Sequence, residues 1–453
     1  MRKFTYAIGL LLVVSMLMAC LGCNTNNVAE NPSPIRTPYI DESFYSDTDH
    51  IFDYKKENFS GPEGYVIIVP EGDENSKKTA EILQAYYLNM GITLDIKDDT
   101  HKETANEILI GKTARKESNK DISEEKFEVS LKNGKLVFDG GHNVTLDSAV
   151  KRFISLSPNK NEAYIFNIAT DFKSTLEGDL EGYKYVWGDE FEGVGLDNNN
   201  WHVAVNMKGS RQVELSADKD IIDVNDGRLK LHAISYFNNN RKGTEYRVPY
   251  SVVTQKTMNY VYGYAEARSR IPYKAGCWPS FWTRSTGQLS GSRNPDYMVE
   301  VDIYEIFRTT HAYATLHKWY SGGGSTNTAN GYVATNPNRH IFEYTPSLTY
   351  EYHTYGYEWT PSEIKMSVDG KVFCTFDITK SFDKNEDMSG FHDPQYLIFN
   401  NHIFHPQIST ACISITAVPD SLPSAHYVDY VRIYQKDGIG KVYVTETEKE
   451  AEK

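Results

Sequence analysis

Three acidic side chains, Glu300, Asp302 and Glu305, lie within six positions of one apolar segment of the chain. Two carboxyl groups on either side of a glycosidic bond can hydrolyse it: one protonates the leaving oxygen, and the other attacks the anomeric carbon or activates water. A third carboxylate between them helps to keep one of the pair protonated near neutral pH. The spacing therefore predicts acid and nucleophile chemistry on a sugar.

The backbone of this segment decides whether the three groups can act together. Along a regular strand Glu300 and Asp302 share a face, whereas Glu305 lies an odd number of residues away and points to the other face. One extra residue near Ile303 or Tyr304, a β-bulge, would return Glu305 to the face of the other two. Because carboxylates in an apolar strand destabilise the fold, we expect them to serve function.

The elements around this segment are expected to be short strands. Residues 185–435 alternate apolar and polar side chains in runs broken by Gly, Asn, Asp and Pro, and they sustain no helical period. This pattern predicts a mainly β protein with a two-sheet sandwich in this region. Three acidic residues at a fixed spacing arise about once by chance in a chain of this length, so the carboxylates alone carry little weight.

Seven phrases, in order along residues 185–435, resemble the markers of glycoside hydrolase family 16. They are WGDEFEG (187–193), YGYAEAR (262–268), WPSFW (278–282), ExDxxE (300–305), HTYGYEWT (353–360), VDG (368–370) and VDYVRIY (428–434). The resemblance implies a concanavalin-like jelly-roll β-sandwich with an open cleft for a β-linked polysaccharide. It implies Glu300 as the nucleophile, Glu305 as the general acid and base, and Asp302 as the neighbour that tunes them, with retention of configuration. The ExDxxE spacing matches the bulged type found in laminarinases, agarases and carrageenases.

The same resemblance implies contacts to the sugar. Glu266 and Arg268 match positions that hold sugar hydroxyls, with an ion pair on the convex side as the alternative. Either Trp278 or Trp282 could stack on a sugar ring, although one of them could equally be a core residue. The predicted substrate-binding set is Glu266, Arg268, Trp278, Trp282, His317, Asn400 and His402.

Metals have a small part in this interpretation. Asp429 matches a position that contributes to a structural Ca²⁺ site in parts of the family, so the resemblance implies calcium as an optional structural ion there. No set of Cys and His residues has zinc spacing, and the expected hydrolysis requires no cofactor.

Departures from the family pattern leave the substrate open. Many laminarinases carry a Trp shortly before the first catalytic Glu, where this chain has PDYMV at residues 295–299, and its NNHIF at residues 400–404 is also unusual. We expect a retaining endo-β-glycanase acting on β-1,3- or mixed-linkage glucan. The alternatives are a β-galactanase of the agarase, porphyranase or carrageenase type, or a transglycosylase. A non-catalytic glycan-binding surface lipoprotein is the alternative of another class, and the presence of both glutamates argues against it.

The N-terminus has the features of an export signal. Arg2 and Lys3 precede an apolar run over residues 7–19, which has the length of a signal-peptide core and is short for a membrane span. The run ends at Cys20 in a sequence that resembles the bacterial lipobox, which implies lipidation of that thiol; Cys23 as the acceptor and simple secretion are the alternatives. We therefore expect an extracytoplasmic protein that is lipid-anchored to a membrane at the bacterial cell surface.

The chain divides by composition into a signal peptide (1–19), a linker (20–60), a small α/β domain (61–172), the jelly-roll domain (181–437) and a charged tail (438–453). Helical spacing over residues 77–90 and 146–156, between strand-like runs, predicts a βαβββα order for the small domain. It looks like the accessory domain ahead of the catalytic domain in hexosaminidases and α-glucuronidases. Docking against the jelly roll and glycan binding are equal alternatives for its role.

Composition narrows the partners. Lys and Arg total 47 against 61 Asp and Glu, a formal net charge of −14, so we expect no surface for nucleic acid. Five cysteines, two of them in the N-terminal segment, do not make a disulfide scaffold. The expected partners are a polysaccharide substrate and, through the lipid anchor, a membrane; we expect a monomer.

Overall fold

The structure is a computed structural model that describes residues 54–124, 126–156, 158–168, 180–205, 213–272, 277–285, 297–308, 310–320, 325–326, 339–343, 348–349, 351–379, 388–403 and 422–444. Within these ranges the chain forms an N-terminal α/β unit over residues 54–168 and a larger β-sandwich over residues 180–444. The predicted signal peptide, the predicted lipidation residue Cys20 and most of the predicted linker lie outside the described residues.

The N-terminal unit is one mixed sheet with two helices on one of its faces. Its elements are β1 (Lys55–Asn58), β2 (Val66–Val69), α1 (Glu74–Asn89), β3 (Asp95–Asp98), β4 (Glu107–Ile110), β5 (Phe127–Lys132), β6 (Lys135–Gly140), α2 (Asn143–Ser155) and β7 (Glu162–Ile168). The seven strands pair in the order β1-β7-β5-β6-β4-β2-β3. Buried residues of both helices share one apolar cluster with Ile67, Ile108 and Phe138 of the sheet.

The N-terminal unit contains more strands than its sequence pattern indicated. The strand β1 lies within the predicted linker and pairs antiparallel with β7, so the unit begins before residue 61. The β1 sequence, Lys-Lys-Glu-Asn, is too short and polar to carry a strand signal, and its pairing with the sheet decides its conformation.

Side-chain caps set the starts of both helices. The carboxylate of Asp73 accepts hydrogen bonds from the backbone N–H groups of Asn75 and Ser76, so α1 begins three residues before the predicted position. The ring of His142 accepts a hydrogen bond from the backbone N–H of Val144 at 3.3 Å, which starts α2 earlier than predicted as well. Gly91, with a φ of 79°, follows the end of α1 in the left-handed conformation.

The sandwich unit is built almost wholly of strands. Its strands are β8 (Tyr183–Asp189), β9 (His202–Val203), β10 (Val213–Ser216), β11 (Ile222–Asn225), β12 (Arg228–Asn238), β13 (Gly243–Pro249), β14 (Val252–Val253), β15 (Met258–Val261), β16 (Gly263–Arg270), β17 (Cys277–Ser285), β18 (Tyr297–Arg308), β19 (His311–Tyr320), β20 (Ser325–Thr326), β21 (Arg339–Glu343), β22 (His353–Trp359), β23 (Glu363–Val368), β24 (Lys371–Asp377), β25 (Gln395–Ile403), β26 (Ser424–Lys436) and β27 (Lys441–Val444). One 3-10 turn, Ser389–His392, is the only helical element in the described part of this unit.

These strands form two ten-stranded sheets. Sheet A has the order β20-β19-β18-β17-β25-β14-β9, with β15, β21 and β27 at its margins, and sheet B has the order β10-β13-β12-β26-β16-β22-β23-β24, with β8 and β11 beside it. Alternate residues of the two sheets meet in one apolar core, among them Phe281 and Phe399 of sheet A and Ala265 and Ala267 of sheet B. The predicted mainly β sandwich behind a small α/β unit is confirmed.

The end of the sandwich lies further along the chain than predicted. The strand β27 falls in the predicted charged tail, yet it pairs antiparallel with β15, and Val442 packs against the core. The charged tail predicted from residue 438 therefore does not begin there, because Lys441–Val444 belong to the sandwich. Four residues beside a charged segment give too weak a strand signal to be read without their pairing partner.

Two smaller expectations concern cysteines and membrane spans. Cys277 and Cys374 are buried free thiols, and Cys412 lies outside the described residues. No helix in the described ranges is both long and apolar enough to cross a bilayer.

Candidate active site

The strand β18 contains the irregularity that its three carboxyl groups need. Successive residues of β17 pair with Tyr304 and then with Asp302, so Ile303 is an extra residue on β18. The register with β19 shifts over the same interval. Because Ile303 and Tyr304 both pack into the core, Glu300, Asp302 and Glu305 fall on the face of sheet A that turns away from the core. The expected bulge is present at the expected place.

Three neighbouring strands add polar and aromatic side chains to this face. Residues paired directly across antiparallel strands point to the same side of a sheet. By the registers of β17, β19 and β25, the side chains on the face of the three carboxyls are Trp278, Ser280, Trp282, Arg284, Tyr313, Thr315, His317, Tyr396, Ile398, Asn400 and His402. Five of the seven predicted substrate-binding residues are thus brought together with the predicted catalytic ones.

Glu305 is held by an indole. The Nε1–H of Trp278 donates a hydrogen bond of 2.9 Å to Oε1 of Glu305. The Trp278 ring packs against Phe307, with ring centroids 5.4 Å apart, and against His402, at 6.4 Å. Trp278 was predicted as a stacking surface for sugar, and the structure adds a direct contact to the predicted acid and base.

Asp302 is held from the neighbouring strand. Its Oδ2 lies 2.9 Å from Nε2 of His317, which is paired with Glu300 in the register of β18 and β19. One ligand atom from each of Glu300, Asp302 and His317 lies within 4.8 Å of the other two. In the described ranges this is the one group of His, Cys, Asp or Glu residues close enough to hold a metal, and it belongs to the predicted catalytic cluster.

Asn400 connects the two tryptophans of β17. Its Oδ1 accepts a hydrogen bond of 2.6 Å from Nε1–H of Trp282, and its Nδ2 donates one of 3.1 Å to the backbone carbonyl of Trp278. Asn400 is buried, and it holds the indole of Trp282 and the backbone of Trp278. Burial lowers the pKa of His402 to about 4, so this ring is neutral at neutral pH.

The sequence analysis did not identify two residues of this face, Arg284 and Tyr396. Arg284 is directly paired with Glu300 across β17 and β18, and Tyr396 is paired with Arg284 across β17 and β25. Burial raises the pKa of Tyr396, the charge of Arg284 opposes the rise, and the charge of Glu300 adds to it, so the three groups interact at one end of the cluster. The even spacing of Arg284 from Trp278 and Trp282 along one strand was the signal that could have identified it.

The prediction that Glu266 and Arg268 contact substrate is wrong. Both residues lie on β16, which is in sheet B, whereas the three carboxyls lie on sheet A. Both are buried: Glu266 accepts hydrogen bonds of 2.8 Å from the hydroxyls of Tyr264 and Tyr430, and Arg268 donates one of 2.7 Å to Asp429. The spacing of two residues did place them on one face, but on that of the opposite sheet.

These contacts also bear on calcium at Asp429. A Ca²⁺ ion takes six to eight oxygen ligands. The Oδ2 of Asp429 instead lies 2.7 Å from Nη1 of the buried Arg268, a cation that repels a metal from the same carboxylate. The surroundings of Asp429 among the described residues do not fit calcium, and no step of the chemistry depends on it.

The arrangement fits reaction at a sugar. Two glutamates flank an aspartate on one face, and tryptophan rings and polar groups lie around them. Aromatic faces suit the apolar sides of pyranose rings, and the carboxyl groups suit proton transfer and nucleophilic attack.

Comparisons with known proteins agree with this chemistry. Residues 192–399 match the family Glycosyl hydrolases family 16. A β-glucanase of Rhodothermus marinus is 28% identical over 262 residues, which are 56% of this chain and 85% of that protein. A glucan endo-1,3-β-glucosidase A1 of Niallia circulans is 23% identical over 276 residues, which are 57% of this chain but only 38% of that protein.

Among solved structures, the laminarinase of Rhodothermus marinus is 26% identical, with a TM-score of 0.44 over 56% of this chain and 97% of that one. Residues 192–399 of the sandwich unit thus resemble glycosyl hydrolases of family 16, and the protein is an O-glycosyl hydrolase.

Proposed function

We propose that this glycosyl hydrolase family 16 domain is an endo-acting, retaining hydrolase of β-1,3- or mixed-linkage β-glucan, with Glu300 and Glu305 as its catalytic pair. The observation that carries the assignment of residues is the bulge at Ile303, which brings Glu300, Asp302 and Glu305 onto one face of sheet A. A strand without the bulge would leave Glu305 in the core, where it could not reach a substrate.

In the first step the carboxylate of Glu300 attacks the anomeric carbon while Glu305 donates its proton to the glycosidic oxygen. The bond to the leaving sugar breaks, and a glycosyl ester forms on Glu300 with inverted configuration. Negative charge develops on Glu305 as its proton leaves, and the N–H of Trp278 points at the oxygen that receives this charge.

In the second step Glu305, now a carboxylate, takes a proton from water as the water oxygen attacks the anomeric carbon of the ester. The bond to Glu300 breaks, and the second inversion restores the β configuration. Asp302 lies between the two glutamates, and the contact with His317 fixes its position. A sugar hydroxyl in place of water would give transglycosylation by the same intermediate.

The names of the relatives favour glucan as the substrate. The Rhodothermus marinus relative is a β-glucanase, and the Niallia circulans relative is an endo-1,3-β-glucosidase. A β-galactan is the second candidate, since the sequences before Glu300 and after Asn400 differ from the usual laminarinase pattern.

We further propose that the enzyme acts outside the cytoplasm, anchored by a lipid on Cys20. The support is the sequence: two basic residues, an apolar run and a lipobox-like ending precede a segment rich in Asn, Pro and Ser. Such a spacer would hold the folded units away from the membrane, where polymeric substrate is accessible.

The direct test is reducing-end release by the protein without its signal peptide on laminarin, mixed-linkage glucan, agarose, porphyran and carrageenan. We expect cleavage of laminarin or mixed-linkage glucan, and a loss of roughly 10³-fold or more in Glu300→Gln and in Glu305→Gln. Glu363→Gln, on β23 of sheet B, is the matched control and should keep its activity. Cleavage of a galactan alone would identify a β-galactanase, and binding without cleavage would identify a glycan-binding protein.

A further inference from the structure

The N-terminal unit and the sandwich share a contact that we call the docking surface. On the N-terminal side it is formed by Glu124, His142, Val144, Lys151 and Arg152, and on the sandwich side by Tyr185, Glu192 and Asp197. We propose that the N-terminal unit is a permanent structural partner of the catalytic sandwich, and that Lys151 of α2 stabilises the sandwich by pairing with a carboxylate of the segment after β8, Asp197.

The first part of the docking surface is aromatic and apolar. The rings of His142 and Tyr185 lie 4.5 Å apart in an edge contact, and Val144 packs against a cluster that contains Tyr185, Tyr264 and Tyr434 of sheet B. The backbone N–H of Tyr185 donates a hydrogen bond of 3.2 Å to the carboxylate of Glu124. Val144, in the first turn of α2, thus packs against three tyrosines of sheet B.

The second part of the docking surface is charged. Nζ of Lys151 lies 2.7 Å from Oδ2 of Asp197 in the sandwich, and Nε of Arg152 lies 3.4 Å from Oε2 of Glu192. Arg152 and Glu192 are both buried, and the Lys151 and Asp197 side chains are only 23% and 24% exposed. The Lys151–Asp197 pair has little access to water, so it interacts more strongly than the exposed pairs of the surface.

The ammonium group of Lys151 stays charged although it is largely buried. Burial alone lowers the pKa of this ammonium group, but the charges of Asp189, Asp147 and Asp197 outweigh burial and raise it. Burial also opposes ionisation of Asp197, yet Lys151 lowers the pKa of that carboxyl. Each partner therefore keeps the other charged, across the boundary between the units.

The segment after β8 needs these cations because it is rich in carboxylates. Asp189, Glu190, Glu192 and Asp197 lie within nine positions. Glu190 is paired with Arg432 of the sandwich through two hydrogen bonds of 2.8 Å, whereas the cations beside Glu192 and Asp197 come from α2. An unpaired buried carboxylate is strongly destabilising, so loss of α2 would destabilise the sandwich.

The docking surface also connects to the core of the sandwich. Oδ2 of Asp189, whose charge acts on Lys151, accepts hydrogen bonds of 2.9 Å from Nε1–H of Trp201 and 3.0 Å from Nδ2 of Asn200. Trp201 is fully buried and contacts Trp187, Phe191 and Phe399. A substitution of Lys151 should therefore alter the packing around Trp201.

The distribution of chromophores makes this proposal easy to test. All six tryptophans lie between residues 187 and 359, so tryptophan fluorescence reports on the sandwich alone. The two α-helices of the described residues both belong to the N-terminal unit, so circular dichroism at 222 nm reports mainly on that unit. In the full chain without its signal peptide, we expect both signals to change in one coincident thermal transition.

The decisive variant is Lys151→Met, which changes only the N-terminal unit. We expect the tryptophan transition to fall by roughly 3–8 °C, Lys151→Arg to restore most of the loss, and Asp197→Asn to add little to Lys151→Met. Lys160→Met is the matched control, since Lys160 pairs with Glu63 at 3.3 Å within the N-terminal unit and both are exposed; it should shift the transition by about 1 °C or less.

Three results would overturn the proposal. A Lys151→Met protein whose 222-nm signal melts early while its tryptophan transition stays in place would show that the units are independent. Additive losses in Lys151→Met and Asp197→Asn would remove the ion pair as the cause. If Lys151→Met does not fold, Asp197→Asn tests the same pair from the sandwich side, and a tryptophan transition unchanged in that variant would count equally against the proposal.

Discussion

The hydrogen bond from Trp278 to Glu305 should contribute to catalysis through charge, and replacing Trp278 by Phe tests this. Phenylalanine keeps an aromatic side chain beside Phe307 and His402, although a smaller one, and removes the N–H that lies 2.9 Å from Oε1 of Glu305. In the first step Glu305 gains negative charge as it gives up its proton, so the donor stabilises the transition state more than the starting complex.

The size of the effect follows from the contact. A hydrogen bond to a charged group contributes about 1.5–3 kcal/mol, and because Trp278 is half-buried we take about 1–2 kcal/mol. That difference corresponds to roughly a 5- to 30-fold fall in kcat/KM. The loss should depend on the leaving group, because a good leaving group departs without a proton from Glu305.

The assay compares kcat/KM of the parent and of Trp278→Phe on the natural glucan and on an oligoglucoside with a dinitrophenol leaving group. We expect the loss on glucan only. Trp282→Phe loses the same ring volume on the same face, but the N–H of Trp282 goes to Asn400 and not to a carboxylate, so any loss in this variant should be equal on the two substrates. Equal losses on both substrates would mean that Trp278 acts in binding, and no loss on either would refute the argument from developing charge.

Two further predictions follow from groups of sheet B and the docking surface. Glu266→Gln should lower the free energy of unfolding by about 2 kcal/mol, because Glu266 accepts hydrogen bonds from two tyrosine hydroxyls, and it should leave KM unchanged. Denaturant unfolding and kinetics on the same protein check this, and a raised KM with parental stability would show that Glu266 contacts the substrate. Burial raises the pKa of Glu192 to about 8 from an ordinary value of 4.5, so the folded state holds the proton more tightly than the unfolded state. This contribution to stability is full below about pH 4.5 and is lost as the pH rises through about 8. The tryptophan melting temperature of the parent should therefore fall more steeply between pH 5 and 9 than that of Glu192→Gln, and parallel curves would contradict the assignment.

The alignment of the three carboxyls on β18 was predictable because successive residues of a strand alternate between its two faces. Glu305 lies an odd number of residues from Glu300, so an extra residue between them, expected near Ile303 or Tyr304, could align them. The register of β18 shows the bulge at Ile303. The contacts that hold the carboxyls, from Trp278 and His317, depend on side chains brought together from separate strands, which spacing along one strand does not encode.

Glu266 and Arg268 show where the sequence argument failed. Their shared face was inferred correctly, but which sheet carries that face depends on long-range pairing of β16 with β22 and β26. The short strands β1 and β27 were missed for a related reason, because four-residue strands take their conformation from their partners. The docking surface has no local pattern, since it joins residues of two units far apart in the chain.

The central claim is that Glu300 is the nucleophile of a retaining hydrolase. A 2-deoxy-2-fluoro oligoglucoside with a dinitrophenol leaving group slows the second step and lets the glycosyl ester accumulate, so that peptide mass spectrometry can locate it. We expect the mass of one 2-deoxy-2-fluoro oligoglucosyl group to be added to the peptide that contains Glu300, with the ester on that residue. An ester on Asp302 or Glu305, or turnover of glucan to the α-anomer as first product, would contradict it.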